Sequence, residues 1–171
     1  MKPDTQLAEE NQPKIASSGG ERVCVPELVE RQWHTRPNAI AVAAGDATLT
    51  YAQLHRLSNQ LAQHLRSLGV GPETLVGIYM DRSAASVIAS LACFKALGAY
   101  LPLDPSLPAE RLAFMLSDAN LVAVISTAEL ARNLSRASWP VVVYDPTAPE
   151  WSAGSDEIPQ GAGGVTTMSP A

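Results

Sequence analysis

Apolar residues along this chain recur at two different spacings, and each spacing predicts a different kind of element. Leucines fall at steps of three and four from Leu54 to Leu68 with polar residues between them, which indicates an amphipathic helix. Thr50 is placed to cap the start of that helix, and Gly69 is placed to end it. Residues 25–33 have a similar spacing and predict a shorter helix of the same kind.

Short, continuous apolar runs predict strands. Residues 39–44 and 47–50 flank the turn signal Gly45-Asp46, so these two segments are predicted to form a hairpin. Later runs are too uniformly apolar to leave one face wet, which is typical of strands covered on both sides. Three such strands are predicted, at residues 74–80, 121–126 and 141–144.

Further helices are expected between these strands. One follows Ser83 and ends at Gly98, which is interpreted as its cap, and its apolar stripe is predicted to be Ala84, Val87, Ile88, Leu91 and Phe94. The next begins with Pro108 at its first helical position, and the last spans residues 127–137. Strand and helix thus alternate, which predicts an α/β fold with a mostly parallel sheet and helices on both faces.

The ends of the chain differ in composition from its middle. Residues 1–22 are polar and predict a flexible N-terminal lead-in. Residues 23–146 are predicted to be the folded domain, a size that fits one domain. Residues 147–171 are rich in Gly, Ser, Pro and Thr and are predicted to form a disordered tail.

Overall composition restricts the partners and the compartment. The 171 residues carry a net charge of −5 with a pI near 5.1, and the cations are scattered, so neither a nucleic-acid nor a membrane partner is expected. Cys24 and Cys93 are too few and too far apart for a disulfide framework or a metal set. With no secretory signal at the start of the chain, these features predict a reducing, cytoplasmic setting, and Cys93 is predicted to be a small buried apolar group.

Two motifs carry a resemblance to a known family. Leu49-Thr50-Tyr51-Ala52-Gln53-Leu54 and the stretch from Phe94 to Asp104 resemble the L-T-Y-x-x-L and L-K-A-G-x-A-Y-V-P-[IL]-D motifs of amino-acid adenylation domains. Residues 68–72 and 105–116 match in the same order. The pattern from residue 25 to residue 144 therefore resembles the N-terminal part of a nonribosomal peptide synthetase adenylation domain, within the AMP-dependent synthetase/ligase superfamily. One departure is Leu97, which stands where the family usually has glycine.

The resemblance implies an incomplete N-terminal subdomain of an adenylate-forming enzyme. In the family, the complete domain uses ATP and Mg²⁺ to convert an amino acid into aminoacyl-AMP and pyrophosphate, and then transfers it to a carrier-protein phosphopantetheine thiol. Its phosphate-binding loop, T-S-G-[ST]-T-G-x-P-K-G, would lie beyond Tyr144. The chain is therefore expected to be truncated before that loop and inactive alone, with no cofactor of its own.

No catalytic, cofactor-binding or metal-binding residue is predicted. Gly161 to Thr167 superficially resembles a phosphate loop, but no lysine follows it because Lys95 is the last lysine. Tyr51 is predicted to pack a strand–helix corner, Lys95 to face the dipole of its own helix, and Asp104 to form a turn between prolines. The histidines have no second ligand at metal spacing, and His64 is predicted to lie on a solvated face; they are His34, His55 and His64.

Two alternatives to an inactive fragment arise from the same sequence. Half of a layered fold leaves apolar surface uncovered, so the chain could be a non-catalytic docking piece that complements a split synthetase in trans. Its partner would then be the missing remainder of an adenylation domain. The other alternative is an unrelated small α/β protein with chance similarity, which would be favoured if no helix directly followed Thr50.

Overall fold

The computed structural model describes residues 24–45, 47–134 and 139–148 and the backbone of 167–168. Within these residues a 3₁₀ turn at Arg132–Leu134 extends the last helix. In chain order the helices and strands are α1 (Val25–Thr35), β1 (Ile40–Ala44), β2 (Ala47–Thr50), α2 (Tyr51–Ser67), β3 (Leu75–Tyr79), α3 (Ala84–Lys95), β4 (Ala99–Leu103), α4 (Ala109–Asp118), β5 (Ala123–Ser126), α5 (Ala128–Ala131), β6 (Val141–Val143) and β7 (Thr167–Met168).

Side-chain caps mark the starts of three helices, α2, α3 and α5. The Thr50 hydroxyl accepts a hydrogen bond from the Gln53 amide at 3.2 Å, and the Gln53 side chain accepts one from the Thr50 amide at 2.9 Å. Each side chain thereby satisfies an amide that has no partner inside the helix. Ser83 and Thr127 cap α3 and α5 through their hydroxyl groups in the same way. The helix predicted directly after Thr50 is confirmed, so the observation that would favour the chance-similarity alternative is not found.

The main sheet has the order β4-β3-β5-β6-β7, with the first four strands parallel. The chain moves from β3 outward to β4 and then crosses back over β3 to β5 and β6. β1 and β2 form the predicted antiparallel hairpin as a separate sheet. The predicted fold class, a mostly parallel α/β sheet, is confirmed.

Successive residues of a strand point to opposite faces of this sheet, so its apolar strands need a core on each face. Helices cover both faces. Val76 and Ile78 of β3 point into one core, which α2 and α3 cover. Tyr79 and Val124 point into the other core, to which α4 contributes Leu112. The strands are buried on both sides, as the uniformly apolar runs predict.

The buried face of α3 differs from the predicted stripe. Val87 is 41% exposed and Phe94 is 38% exposed, while Ala89 and Ala92 are fully buried. α3 packs against α2 as well as against β3 and β4, so its buried surface extends around the helix toward its alanines. Alanines on that side let the two helix backbones approach closely.

The C-terminal end of α3 is built differently from the prediction as well. The left-handed residue is Leu97, with φ of +67°, rather than Gly98. The Leu97 amide donates to the Phe94 carbonyl and the Gly98 amide to the Cys93 carbonyl, each at 3.0 Å, which is the pattern of a Schellman cap. Gly98 is needed for another reason, since a Cβ there would lie 2.7 Å from Val70 Cγ1.

Two other helix boundaries differ from the sequence expectations. Pro108 is the N-cap of α4 rather than its first helical residue. The helix predicted for residues 127–137 is α helical only over Ala128–Ala131, and the chain then tightens into the 3₁₀ turn. That turn places Leu134 in the core covered by α4, and residues 135–137 of the predicted helix lie outside the described residues.

The predicted terminal segments fall mostly outside the described residues. The lead-in at 1–22 does so completely. Within the segment predicted to be a disordered tail, the backbone of Thr167–Met168 pairs antiparallel with β6, with Val141 opposite Met168. This pairing gives the backbone groups at the outer edge of β6 hydrogen-bonding partners.

Candidate functional site

The carboxyl ends of the parallel strands define the first candidate site. The chain leaves β3 toward one side of the sheet and returns to β5 on the other, so the strand order reverses between these two strands. Open α/β sheets bind ligands in the crevice at such a point, outside the carboxyl ends of the strands. Asp81, Thr127 and Asp145 follow β3, β5 and β6 at this edge.

Two cavities open along this edge. One has a volume of about 460 Å³ and lies over β3, β5 and β6, with Asp81, Glu129 and Asp145 in its lining. The other has a volume of about 640 Å³ and lies over β3 and β4, with Asp81, Arg82 and Asp104 in its lining. Asp81 therefore borders both cavities, which we call the carboxyl-edge cavities.

The charge of the carboxyl-edge cavities does not suit a triphosphate. The two linings contain four carboxylates and one cation, Arg82. Phosphate binding needs converging amide donors and cations, usually from a glycine-rich loop with a lysine. The lining residues therefore do not fit the phosphates of ATP. Among the described residues, no cluster of three or more His, Cys, Asp or Glu is close enough to hold a metal ion.

Asp104 has the turn-forming role that the sequence predicts. Its Oδ1 accepts hydrogen bonds from the Ser106 hydroxyl at 2.7 Å and the Ser106 amide at 2.8 Å. These bonds to the charged form hold the pKa of Asp104 below its usual value. Tyr51 lies at the predicted strand–helix corner, where its amide donates to the Ala39 carbonyl at 3.0 Å.

A second polar cluster joins three helices on the other side of the molecule. Glu30 of α1, His55 and Asn59 of α2, and Lys95 of α3 form a continuous chain of hydrogen bonds, which we call the helix joint. Glu30 Oε2 lies 2.9 Å from His55 Nδ1, and Asn59 Nδ2 lies 2.9 Å from His55 Nε2. Trp33 of α1 stacks on the His55 ring with 4.8 Å between centroids.

Donor and acceptor requirements determine the direction of the hydrogen bonds in the helix joint. Lys95 Nζ donates to Asn59 Oδ1 at 2.6 Å, so the Asn59 amide nitrogen faces His55. That nitrogen can only donate, so His55 Nε2 must accept and His55 Nδ1 must carry the proton given to Glu30. The His55 ring therefore links the Glu30 side chain to Lys95 through Asn59.

Lys95 does not have the predicted role at the end of its own helix. Its ammonium group reaches across to α2, where it also lies 3.4 Å from the His55 carbonyl oxygen. Arg66 of α2 instead donates to the Lys95 carbonyl and so supplies the cation at the C-terminus of α3. Partial burial lowers the pKa of Lys95 to about 8, with the negative charge of Glu30 acting in the opposite direction.

The other histidines and the cysteines have mostly structural settings. His34 Nε2 lies 3.5 Å from Glu30 Oε1, a pair that the four-residue spacing on α1 could have indicated. His64 is not on the solvated face that the sequence predicts, since it is half-buried, its Nε2 has no hydrogen-bond partner among the described residues, and burial lowers its pKa. Cys93 is fully buried, which raises its pKa to about 12 and confirms its expected role as a small apolar group, whereas Cys24 is exposed.

None of the helices in the described part of the chain combines the length and apolar character that a membrane crossing requires.

The parallel sheet, with a crevice where its strand order reverses, places the chain among the open α/β proteins, a class that binds ligands at the carboxyl ends of the strands. Comparison with known proteins gives the family. The AMP-binding enzyme family matches residues 29–167, and the chain belongs to this family.

Relatives in this family are nonribosomal peptide synthetases. Bacitracin synthase 1 of Bacillus licheniformis is 40% identical over 141 residues, which are 82% of this chain and 3% of that protein. Tyrocidine synthase 3 of Brevibacillus parabrevis is 46% identical over 104 residues, which are 61% of this chain and 2% of that protein. The dimodular nonribosomal peptide synthase of Bacillus subtilis is 43% identical over 111 residues, which are 65% of this chain and 5% of that protein.

A solved structure extends the likeness to three dimensions. The crystal structure of the nonribosomal peptide synthetase FmoA3 in its alpha-methyl-L-serine-AMP bound form matches with a TM-score of 0.61 and 34% identity. The match covers 64% of this chain and 12% of that one. The predicted resemblance to a nonribosomal peptide synthetase adenylation domain is thus confirmed, and the chain corresponds to a fragment of an AMP-binding domain.

Proposed function

We propose that this chain is a scaffold portion of an amino-acid adenylation domain and does not activate amino acids alone. The parent reaction would convert an amino acid and ATP into aminoacyl-AMP and pyrophosphate. The observation that supports this proposal is the acidic lining of the carboxyl-edge cavities. Asp81, Glu129 and Asp145 line the crevice outside the carboxyl ends of the strands, where open α/β sheets bind ligands.

The chemistry of adenylate formation explains why this lining matters. The reaction requires donors and cations that offset the negative charge developing on the transferring phosphate. Carboxylates at the same edge would repel a triphosphate that lacks a bridging cation. In this proposal, the residues that hold ATP and Mg²⁺ lie outside this chain, and the chain supplies the parallel sheet and its two cores. The chain spans only 2% to 5% of the length of the curated relatives it matches.

ATP–pyrophosphate exchange tests the proposal directly. The purified chain, incubated with ATP, Mg²⁺, labelled pyrophosphate and a mixture of amino acids, is expected to give no exchange above background. A complete adenylation domain from one of the synthetases serves as the positive control. Cooperative urea unfolding of the same sample shows that it is folded, so that absence of exchange is not absence of structure. Exchange that depends on one amino acid would contradict the proposal.

A second candidate function is docking in trans with the remainder of an adenylation domain. The exposed outer side of α3 favours it, because Val87 and Phe94 lie there beside the terminal strand β4. The Phe94 ring meets the Tyr100 ring of β4 edge-on, with 5.4 Å between centroids. Apolar surface of this kind marks interaction sites more often than isolated exposed residues do. In this candidate, the chain would restore activity only when its complement is present.

A further inference from the structure

An open groove of about 420 Å³ lies between α1 and α2, and the Lys95 side chain of α3 reaches into it. The groove has no lining residue in common with the carboxyl-edge cavities. Charged and titratable side chains line the groove together with Lys95, from both neighbouring helices. Glu27 and Glu30 contribute from α1, and His55 and Arg66 contribute from α2.

The Lys95 amine has a defined position in this groove. It is held by Asn59 Oδ1 at 2.6 Å and by the His55 carbonyl oxygen at 3.4 Å. The side chain is half-buried, so the amine borders the groove without being enclosed by it. Arg66 donates to the Lys95 backbone carbonyl, which places a guanidinium group beside the same helix end. An amine, a neighbouring cation and open volume therefore occur together.

The surroundings also favour the nucleophilic form of the amine. Partial burial lowers the pKa of Lys95 from its ordinary 10.5 to about 8, although Glu30 opposes this change. At about pH 7.5, roughly a quarter of such amines are neutral, against roughly a thousandth for an ordinary lysine. Part of this advantage is lost because a less basic amine is also a weaker nucleophile.

We propose that Lys95 is a selective N-acylation site for small acyl phosphates. The neutral amine attacks the carbonyl carbon of the acyl phosphate, and a nitrogen–carbon bond forms. The carbon–oxygen bond to phosphate breaks, the electron pair leaves with the phosphate, and the extra proton on nitrogen passes to water. No oxidation or reduction takes place. The groove carries two cationic side chains, Lys95 and Arg66, against the carboxylates of Glu27 and Glu30, and Arg66 can donate to the departing phosphate.

Acylation would alter the helix joint as well as the lysine. The product amide is neutral and has one N–H. Asn59 Oδ1 therefore loses the ammonium group that donates to it, and Glu30 loses a nearby positive charge. The acyl group would occupy the groove where α1 meets α2. This inference does not rest on the proposed function, because it needs neither ATP nor an adenylate.

Competitive acetylation within one molecule tests the proposal. The sequence has two other lysines, Lys2 and Lys14, which serve as internal references. The full chain is treated with acetyl phosphate near neutral pH, and acetylation at each lysine is followed by peptide mass spectrometry. Lys95 is expected to react about tenfold faster than either reference, and this advantage should vanish in concentrated urea. Equal rates in the folded chain, or a slower rate at Lys95, would overturn the proposal.

Matched variants and a pH profile distinguish the effect of the groove on Lys95 acetylation from the ordinary reactivity of any lysine. Glu30→Gln keeps an acceptor for His55 but removes the charge that raises the Lys95 pKa, so the acetylation rate at Lys95 near neutral pH should increase about two- to threefold. Glu27→Gln, in the same groove, should change it less. If a variant does not fold, the wild-type profile suffices, since the Lys95 rate should level off above about pH 8 while the reference lysines keep rising. A Lys95 profile that tracks the references would count against the proposal.

Discussion

Leu97 holds a backbone conformation that its side chain disfavours. Its φ is +67°, and its side chain is 66% exposed, so little packing compensates for the steric conflict of Cβ with the backbone. The conformation is imposed by the two hydrogen bonds that close α3 and by the tight packing of the next residue, Gly98, on Val70. The family motif that this segment resembles usually has glycine at this position, which has no such conflict.

Leu97→Gly should therefore stabilise the chain. Removing the left-handed strain gains about 1–2 kcal/mol, and the greater freedom of glycine in the unfolded state offsets part of it, so a net gain of about 0.5–1 kcal/mol is expected. Urea unfolding measures the change in midpoint. Leu97→Ala is the matched control, because alanine removes the exposed side chain but keeps Cβ, and its midpoint should stay near that of the wild type. An equal gain in both variants would show that exposed apolar surface, rather than backbone strain, is responsible.

At the scale of elements, α1 and α2 are held in different ways. α2 buries a leucine stripe against the sheet side of the molecule, whereas none of the α1 side chains is fully buried. α1 packs the half-buried Val29 against the core and is otherwise held by polar contacts through the helix joint and by the Trp33 ring stacked on His55. The leucine spacing predicts the α2 face, but the contacts of α1 require residues twenty-five positions apart to meet.

The capping box of α2 gives a prediction at this scale. Thr50→Ala removes the hydroxyl that accepts from the Gln53 amide, so the free energy of unfolding should fall by about 1 kcal/mol. Amides in the first turn of α2 should also exchange faster with solvent. Thr50→Ser keeps the accepting hydroxyl and should remain close to the wild type. Equal losses in both variants would mean that the threonine methyl group, and not the cap, stabilises this turn.

At the scale of the whole molecule, the sheet ends at β4 on a strand that is a poor template for further pairing. The Ala99 amide donates to the Thr74 carbonyl on the β3 side of β4. The backbone polar groups of the alternate residues, Tyr100 and Pro102, therefore face away from β3. Pro102 has no N–H to donate. Because its backbone nitrogen faces away from β3, the hydrogen bonds between β3 and β4 are kept, while a further strand could not receive a hydrogen bond from β4 at this residue. A partner on this side would contact the outer surface of α3 through side chains instead.

Complementation in trans tests that docking surface. The chain is mixed with a separate polypeptide carrying the rest of a relative's adenylation domain, and ATP–pyrophosphate exchange is measured. If the docking candidate is right, exchange appears only in the mixture, and Phe94→Glu lowers it at least tenfold by placing a charge in an apolar contact. Phe114→Glu is the control, since Phe114 is 67% exposed on α4, across the sheet from α3. Exchange that Phe114→Glu reduces as much as Phe94→Glu would reject α3 as the docking side.

Periodicity along the chain determined the kind and order of most elements, because a buried helix face or a doubly covered strand must repeat apolar residues at the spacing of its backbone. The hairpin, the cap at Thr50 and the family motifs could therefore be read from neighbouring residues. Tertiary structure decided which side of α3 is buried and how His55 comes between Glu30 and Asn59. It also decided that Arg66, and not the Lys95 side chain, donates to the carbonyl at the end of α3. These outcomes depend on contacts between residues distant in sequence, and local spacing holds no information about which distant groups will meet.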